Sequence, residues 1–171
     1  MIGQPLTRIH TETRPWCTFR LGDDLYGLDV LAIREVALLP IVTPVPHAPP
    51  GILGCVNLRG QIHVILDLAA LLGRQATKPG PHNRLILFKN ELGNPFGVLV
   101  EGIGDIVQVP IEQVENRVRV EELESAEQTG SPEETLVLGV ARMHEELLLL
   151  LDARRLLTAL QRSNLIGETN S

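Results

Sequence analysis

Leu53-Gly54-Cys55-Val56-Asn57-Leu58-Arg59-Gly60-Gln61-Ile62-His63-Val64-Ile65-Leu66-Asp67-Leu68-Ala69-Ala70-Leu71-Leu72 is the stretch that decides the fold. Two apolar runs flank a turn at Asn57–Gly60. Asp67 then opens a short helix that Gly73 closes, an aspartate and a glycine standing where helix ends need them. The same plan returns without a gap 85 positions later, over residues 138–157. Six of the twenty positions are identical, including Gly54/Gly139 and Asp67/Asp152, and apolar character matches at Ile62/Leu147, Val64/Leu149 and Ile65/Leu150. Leucines coincide easily in this chain; a glycine and an aspartate in one register do not. A weaker echo relates Tyr26-Gly27-Leu28 to Phe96-Gly97-Val98. A strand–turn–strand–helix unit used twice predicts an all-β fold of two small antiparallel β-barrels packed side by side, each with its edges closed.

Outward from this core, Cys17–Leu21 and Leu25–Val30 read as a hairpin around Gly22-Asp23-Asp24. Pro44, Pro46, Pro49 and Pro50 make residues 43–51 a rigid extended connection, because proline offers no donor to a ladder. Residues 74–83 read as a loop, Leu85–Lys89 and Phe96–Glu101 as a strand pair, and Leu136–Val140 with Leu147–Leu151 as the last strands. Asp152 opens a final helix through about residue 161, by the same capping rule. The acidic stretch 112–135 reads as the most mobile segment. The expected division is a tail over 1–14, a first barrel over about 15–75 and a second over about 83–152, with exchange of strands between them left open. A helix over about 153–162 and a tail over 163–171 complete it.

Composition bounds the chemistry. Fifteen Lys and Arg against twenty-one Asp and Glu leave a formal charge of −6, the wrong sign for a phosphate-neutralising nucleic-acid binder. Leu147–Leu151, the longest aliphatic run, is far too short to span a bilayer, and the first ten residues lack the apolar region of a signal peptide. Cys17 and Cys55, without a CxxC spacing, read as two thiols of a reducing cytoplasm. Five scattered histidines offer no metal-ligand spacing, and Gly102-Ile103-Gly104-Asp105 lacks the third glycine of a nucleotide loop. Asp67 and Asp152 read as helix caps rather than paired acids. No nucleophile, base and metal come together, so the residues alone point to binding, with no metal, cofactor or small-molecule substrate.

Phe19-Arg20-Leu21-Gly22-Asp23 with Tyr26-Gly27-Leu28-Asp29-Val30, then Ile33-Arg34-Glu35-Val36 and Pro46-His47-Ala48-Pro49, resembles the opening of the CheW family of chemotaxis coupling proteins. Ile52-Leu53-Gly54-Cys55-Val56-Asn57-Leu58-Arg59-Gly60, running to Ile65-Leu66-Asp67-Leu68, is the strongest match. Gly97-Val98-Leu99-Val100-Glu101-Gly102-Ile103-Gly104-Asp105-Ile106 is similar to the family's second barrel, and the likeness covers about residues 16–157. The resemblance implies two intertwined five-stranded barrels with an apolar core between them and no catalytic activity. It implies two partners in the cytoplasm: the cytoplasmic tip of a coiled-coil chemoreceptor and the regulatory domain of the histidine kinase CheA. By resemblance, receptor contact falls in the groove between the barrels, on Glu35, Val36, Asn57, Leu58 and Arg59, with Val98 and Val100 facing them. Glu35 and Arg59 match a family pair that orients this region. Kinase contact falls near Val30 and Ile33.

Val64 stands where many members carry proline, and His63 where they carry an aliphatic residue. The pathway served stays open among a motility array, a surface-motility system and a second-messenger route. Two other readings also stay open: a kinase-binding decoy, and a small barrel enzyme or phospho-acceptor built on His63 and Asp67.

Overall fold

Short apolar runs cut by glycine, proline and Asx turns cannot make long helices, and here they make strands. A computed structural model describes residues 3, 11–115 and 135–168. In chain order these form β1 (Thr13–Leu21), β2 (Asp24–Asp29), β3 (Ile33–Leu38), β4 (Ile52–Leu58), β5 (Gln61–Asp67), helix α1 (Leu68–Leu71), β6 (Arg84–Phe88) and β7 (Phe96–Val100). They continue as β8 (Ile106–Pro110), β9 (Val114–Glu115), β10 (Val137–Met143), β11 (Glu146–Leu151) and helix α2 (Ala153–Glu168).

The strands lie in two sheets, ordered β8-β1-β2-β11-β10-β9 and β3-β6-β7-β5-β4. Each sheet curls on itself. β8 and β9 sit at opposite edges of the first, yet only the turn Ile111–Gln113 joins them, so the edges must meet. In the second, side chains of edge strand β3 reach the β4–β5 hairpin: Arg34 bonds Gln61 and Glu35 bonds Arg59. We call these the terminal barrel and the middle barrel.

The duplication is literal. β4–β5 and β10–β11 are the same hairpin 85 residues apart, with the same burial sequence along β4 and β10 and the same register shift, at Ile52/Gly54 and at Val137/Gly139. The bridge Thr43–Cys55 in one barrel corresponds to the two-residue β9 pairing Glu115–Val140 in the other, which is why the terminal sheet has six strands and not five. Asp67 and Asp152 cap the two helices, their Oδ1 atoms accepting from Ala70 N and Arg154 N at 3.3 and 2.9 Å.

The strand exchange that the sequence left open is present, so the two barrels do not separate at 75–83, and both chain-end boundaries move. Hairpin β1–β2 completes the barrel of β10–β11, and β6–β7 completes that of β4–β5. This reciprocal exchange places β2 beside β11 and β7 beside β5 in parallel, so the barrels are not purely antiparallel. Thr13 and Arg14 belong to β1 through pairing with Pro110 and Val109, which shortens the N-terminal tail. Residues 163–168 continue α2, since no proline or glycine interrupts the chain before Gly167. Most of the acidic stretch, residues 116–134, lies outside the described residues.

Strand alternation sorts the core into three. Leu85, Leu87 and Leu99 fill the middle barrel with Val56 and Ile65, while Leu148 and Leu150 fill the terminal one with Trp16. Their neighbours in sequence point the other way, into a central cluster shared by both barrels: Ile86, Phe88, Val98, Val100 and Leu66 meet Phe19, Tyr26 and Leu28. α1 and α2 close this layer with Leu68, Leu156 and Leu160. Arg74 pins the barrels together polarly, donating to Leu21 O at 3.1 Å and to the Tyr26 hydroxyl at 2.9 Å while pairing with Asp24.

Candidate functional site

The turn between β4 and β5 has two residues, and both need positive φ: Arg59 at 52° and Gly60 at 82°. That is the backbone of a type I′ hairpin turn, whose twist suits the flanking strands. Gly60 meets the demand freely, while Arg59 does so at a cost of about 1 kcal/mol. Asn57 holds the turn, its Oδ1 accepting from Gly60 N at 3.0 Å. The Asn-Leu-Arg-Gly string thereby projects a guanidinium from the rim of the middle barrel.

Arg59 Nη2 donates to Glu35 Oε1 at 2.6 Å, with the arginine side chain 72% exposed and the glutamate 24%. An ion pair this open to solvent contributes about 0–1 kcal/mol to stability, so its visible consequence is orientation. Beside it, Arg34 Nη1 donates to Gln61 Oε1 at 3.0 Å and Arg34 Nε lies 3.9 Å from Glu35 Oε2. Glu35 is therefore held between two guanidiniums, one half-buried and one projecting. Val36 and Ile62 are exposed next to this group, and Asn57 pairs with Ile62 across the hairpin on the same face.

The structure brings together Glu35, Val36, Asn57 and Arg59, with Leu58 half-buried beneath against the barrel interior. It removes Val98 and Val100 from this surface. Both have no exposed area and face the central cluster, because the space between the barrels is occupied by apolar side chains and helices rather than left as a groove. Val36 shows the rule, since it heads the cross-strand row Val36–Ile86–Val98–Leu66–Ile52, whose inner members are covered while the edge is not. Val30 and Ile33 are half-buried, and Ile33 packs on the central cluster. The exposed apolar side chain at that end is Leu31, at 62%. Reading the sequence missed it, together with Arg34, Gln61 and Ile62; the period-two pattern Arg34, Val36, Leu38 was the available signal.

The pseudo-equivalent surface of the terminal barrel has other side chains. Row for row, Ile106 takes the place of Val36, Asp105 of Glu35, His144 of Arg59 and Leu147 of Ile62. His144 keeps the positive φ of the first turn position, at 50°. An open depression of about 1260 Å³ lies at this end, bordered by Thr18, Arg20, Glu101, Asp105, His144 and Glu146.

Asp67 is buried, and its two oxygens accept from Ala70 N, Thr77 N and Thr77 Oγ1, which leaves them engaged in capping and in tying down the following loop. Among the described residues no group of three or more histidines, cysteines and carboxylates could hold a metal ion. No described helix is long and apolar enough to cross a membrane.

A family model described as "CheW-like domain" matches residues 15–161. The chain is 35% identical over 96 residues to the chemotaxis protein CheW of Rhizobium meliloti (strain 1021), covering 56% of this chain and 61% of that protein, less than two thirds of its length. It is 27% identical over 155 residues to the chemotaxis protein CheW of Klebsiella aerogenes, covering 87% and 84% of the two chains. The crystal structure of the scaffolding protein TtCheW from Thermoanaerobacter tengcongensis shares the fold, with a TM-score of 0.67 at 23% identity over 82% of this chain and 90% of that one.

Proposed function

The chain belongs to the CheW-like domain family, and from that premise we propose that it is a non-catalytic, cytoplasmic adaptor coupling chemoreceptors to the histidine kinase CheA. The observation that carries the reading is the Glu35–Arg59 pair, set on a strained turn at the rim of the middle barrel beside exposed Val36 and Asn57. A pair that contributes little to stability yet costs backbone strain is better explained by what it presents than by what it holds.

The receptor-facing surface in this proposal comprises Glu35, Val36, Asn57 and Arg59, with Leu58 supporting them from below. The kinase-facing end lies at Val30–Ile33, where Leu31 offers the apolar contact and Val30 and Ile33 shape the backbone under it. Such an adaptor shifts the kinase only by binding one arrangement of the assembly better than another.

Co-sedimentation with receptor-containing membranes and the cognate kinase tests this, with autophosphorylation read in the same tube. Wild type should carry kinase to the receptors, and Arg59→Glu should lose that recruitment while keeping its circular dichroism spectrum. Binding to kinase without receptor would instead select the decoy reading.

A further inference from the structure

We propose that Arg34 is a positioning residue for the receptor-facing pair: clamped to Gln61 across the seam of the middle barrel, it holds the Glu35 carboxylate that aims Arg59. The inference rests on the reading of that rim as the receptor-facing surface.

The seam is where edge strand β3 meets the β4–β5 hairpin, and β3 carries one residue too many there. Ile33 stands opposite Phe88 and Glu35 opposite Leu87, so two steps along β3 answer one step along β6, and Arg34 is the extra residue of a β-bulge. The flanking register agrees: Ile33 and Val36, three apart, stand opposite Phe88 and Ile86, two apart. In an unbroken strand, neighbouring side chains point to opposite faces. At the bulge two neighbours reach the same hairpin, Arg34 bonding Gln61 and Glu35 bonding Arg59.

The four side chains form a line. A guanidinium has only donors, so the Gln61 amide turns its oxygen to Arg34 Nη1, at 3.0 Å. The same planar group places Nε 3.9 Å from Glu35 Oε2, while Glu35 Oε1 accepts from Arg59 Nη2 at 2.6 Å. One carboxylate oxygen thus faces each guanidinium. The side chains of Arg34 and Glu35 are 28% and 24% exposed, against 72% for Arg59. The projecting arginine is therefore held through a carboxylate, and the carboxylate is held by the more covered arginine.

The terminal barrel lacks this clamp. Gly104 stands at the position of Arg34, and a Cβ there would lie 2.8 Å from Thr18 Oγ1, which is itself bonded to Asp105 O. The position that carries a guanidinium in one barrel has no room for a side chain in the other. Control of this kind belongs to the rim with Arg59.

The test uses the full chain and measures its affinity for a soluble fragment of a chemoreceptor's cytoplasmic tip, beside NMR nitrogen relaxation of the Arg59 Nε–H group. Gln61→Leu alters no charge and removes the acceptor; Arg34→Met keeps the stem and removes the donors. Each should keep the wild-type circular dichroism spectrum, drop the order parameter of the Arg59 group below about 0.6 and weaken binding about three- to fivefold. In an Arg59→Ala background the same substitutions should leave affinity unchanged within about 1.5-fold, because a positioning residue then has nothing to position. Equal losses in both backgrounds, or an Arg59 group as ordered without the clamp as with it, overturn the proposal. Gln61→Leu decides if Arg34→Met fails to fold. If wild type does not bind the fragment, the receptor reading fails and the order of Arg59 still decides the positioning role, as it does if Arg59→Ala binds too weakly to measure.

Discussion

Val98 and Val36 are the same residue type in one cross-strand row, and truncating each to alanine separates core from surface. Val98 has no exposed area and is covered by the shared cluster; Val36 is 43% exposed on the edge strand. Removing two fully buried methyl groups costs about 1.6 kcal/mol in transfer free energy. The unfilled space beside Ile86 and Leu66 raises the total for Val98→Ala to about 2–3 kcal/mol. For Val36→Ala roughly half the burial is lost and no closed cavity forms, so the cost stays below about 1 kcal/mol. In urea, Val98→Ala should lower the midpoint at unchanged slope, and in a scan it should lower Tm by about 5–10 °C. Val36→Ala should unfold almost as wild type does and bind receptor membranes less well. The assignment of Val98 to the interior fails if Val98→Ala keeps full stability and loses receptor binding, because only a surface side chain behaves so.

Gly54 has a φ of 151°, and a Cβ there would run into the Thr43 carbonyl oxygen, whereas Gly60, at 82°, has open space. Gly54→Ala should cost more than about 3 kcal/mol or abolish folding, and Gly60→Ala only about 1 kcal/mol; equal midpoints in denaturant would contradict the bridge to Thr43. Arg74 serves Leu21 O, the Tyr26 hydroxyl and Asp24, and its guanidinium lies 5.6 Å from the Tyr26 ring centre. A lysine cannot meet that fork, so Arg74→Lys should lose about 1–2 kcal/mol and speed amide exchange in β1–β2; unchanged exchange would show that apolar packing alone joins the barrels.

The repeat at an offset of 85 was legible because it rests on residues with single jobs. Gly54 and Gly139 sit at the same register shift, and Asp67 and Asp152 cap equivalent helices. Which hairpins exchange was not legible in the local pattern, for a physical reason, and that the barrels intertwine entered only through family likeness. Tyr26-Gly27-Leu28 and Phe96-Gly97-Val98 present equivalent edges, so the local pattern of β1–β2 satisfies either barrel, and only the crossings at Val30–Ala32 and 101–105 decide which. Val98 and Val100 were placed at the groove by family likeness, and the local pattern carried nothing to move them inside. Phe96-Gly97-Val98-Leu99-Val100 is apolar throughout, and a strand buried on both faces carries no alternation to say which face meets solvent. Arg59 was legible as a turn residue; its partner Glu35 lies 24 positions away and entered through family likeness rather than spacing.

The two barrels share a hairpin register, and their rims differ in charge and in the second turn residue, Gly60 with positive φ against Glu145 without it. Both first turn positions have positive φ, but Arg59 with Gly60 and Gln61 occupies one, and His144 with Glu145 and Glu146 the other. Arg34 becomes Gly104 and Glu35 becomes Asp105, so a rim with two guanidiniums around one carboxylate is matched by a rim rich in carboxylates, where Arg20 neutralises Glu146 at 2.8 Å. Apolar exposure is conserved through the exchange, with Val36 and Ile62 answered by Ile106 and Leu147. Two rims with equivalent hairpins and similar apolar exposure, but different charge, do not suit one partner: like charges across an interface cost several kcal/mol, more than shared apolar area restores. The repeated scaffold thus presents two differently charged surfaces by changing side chains on a turn rather than by changing its fold.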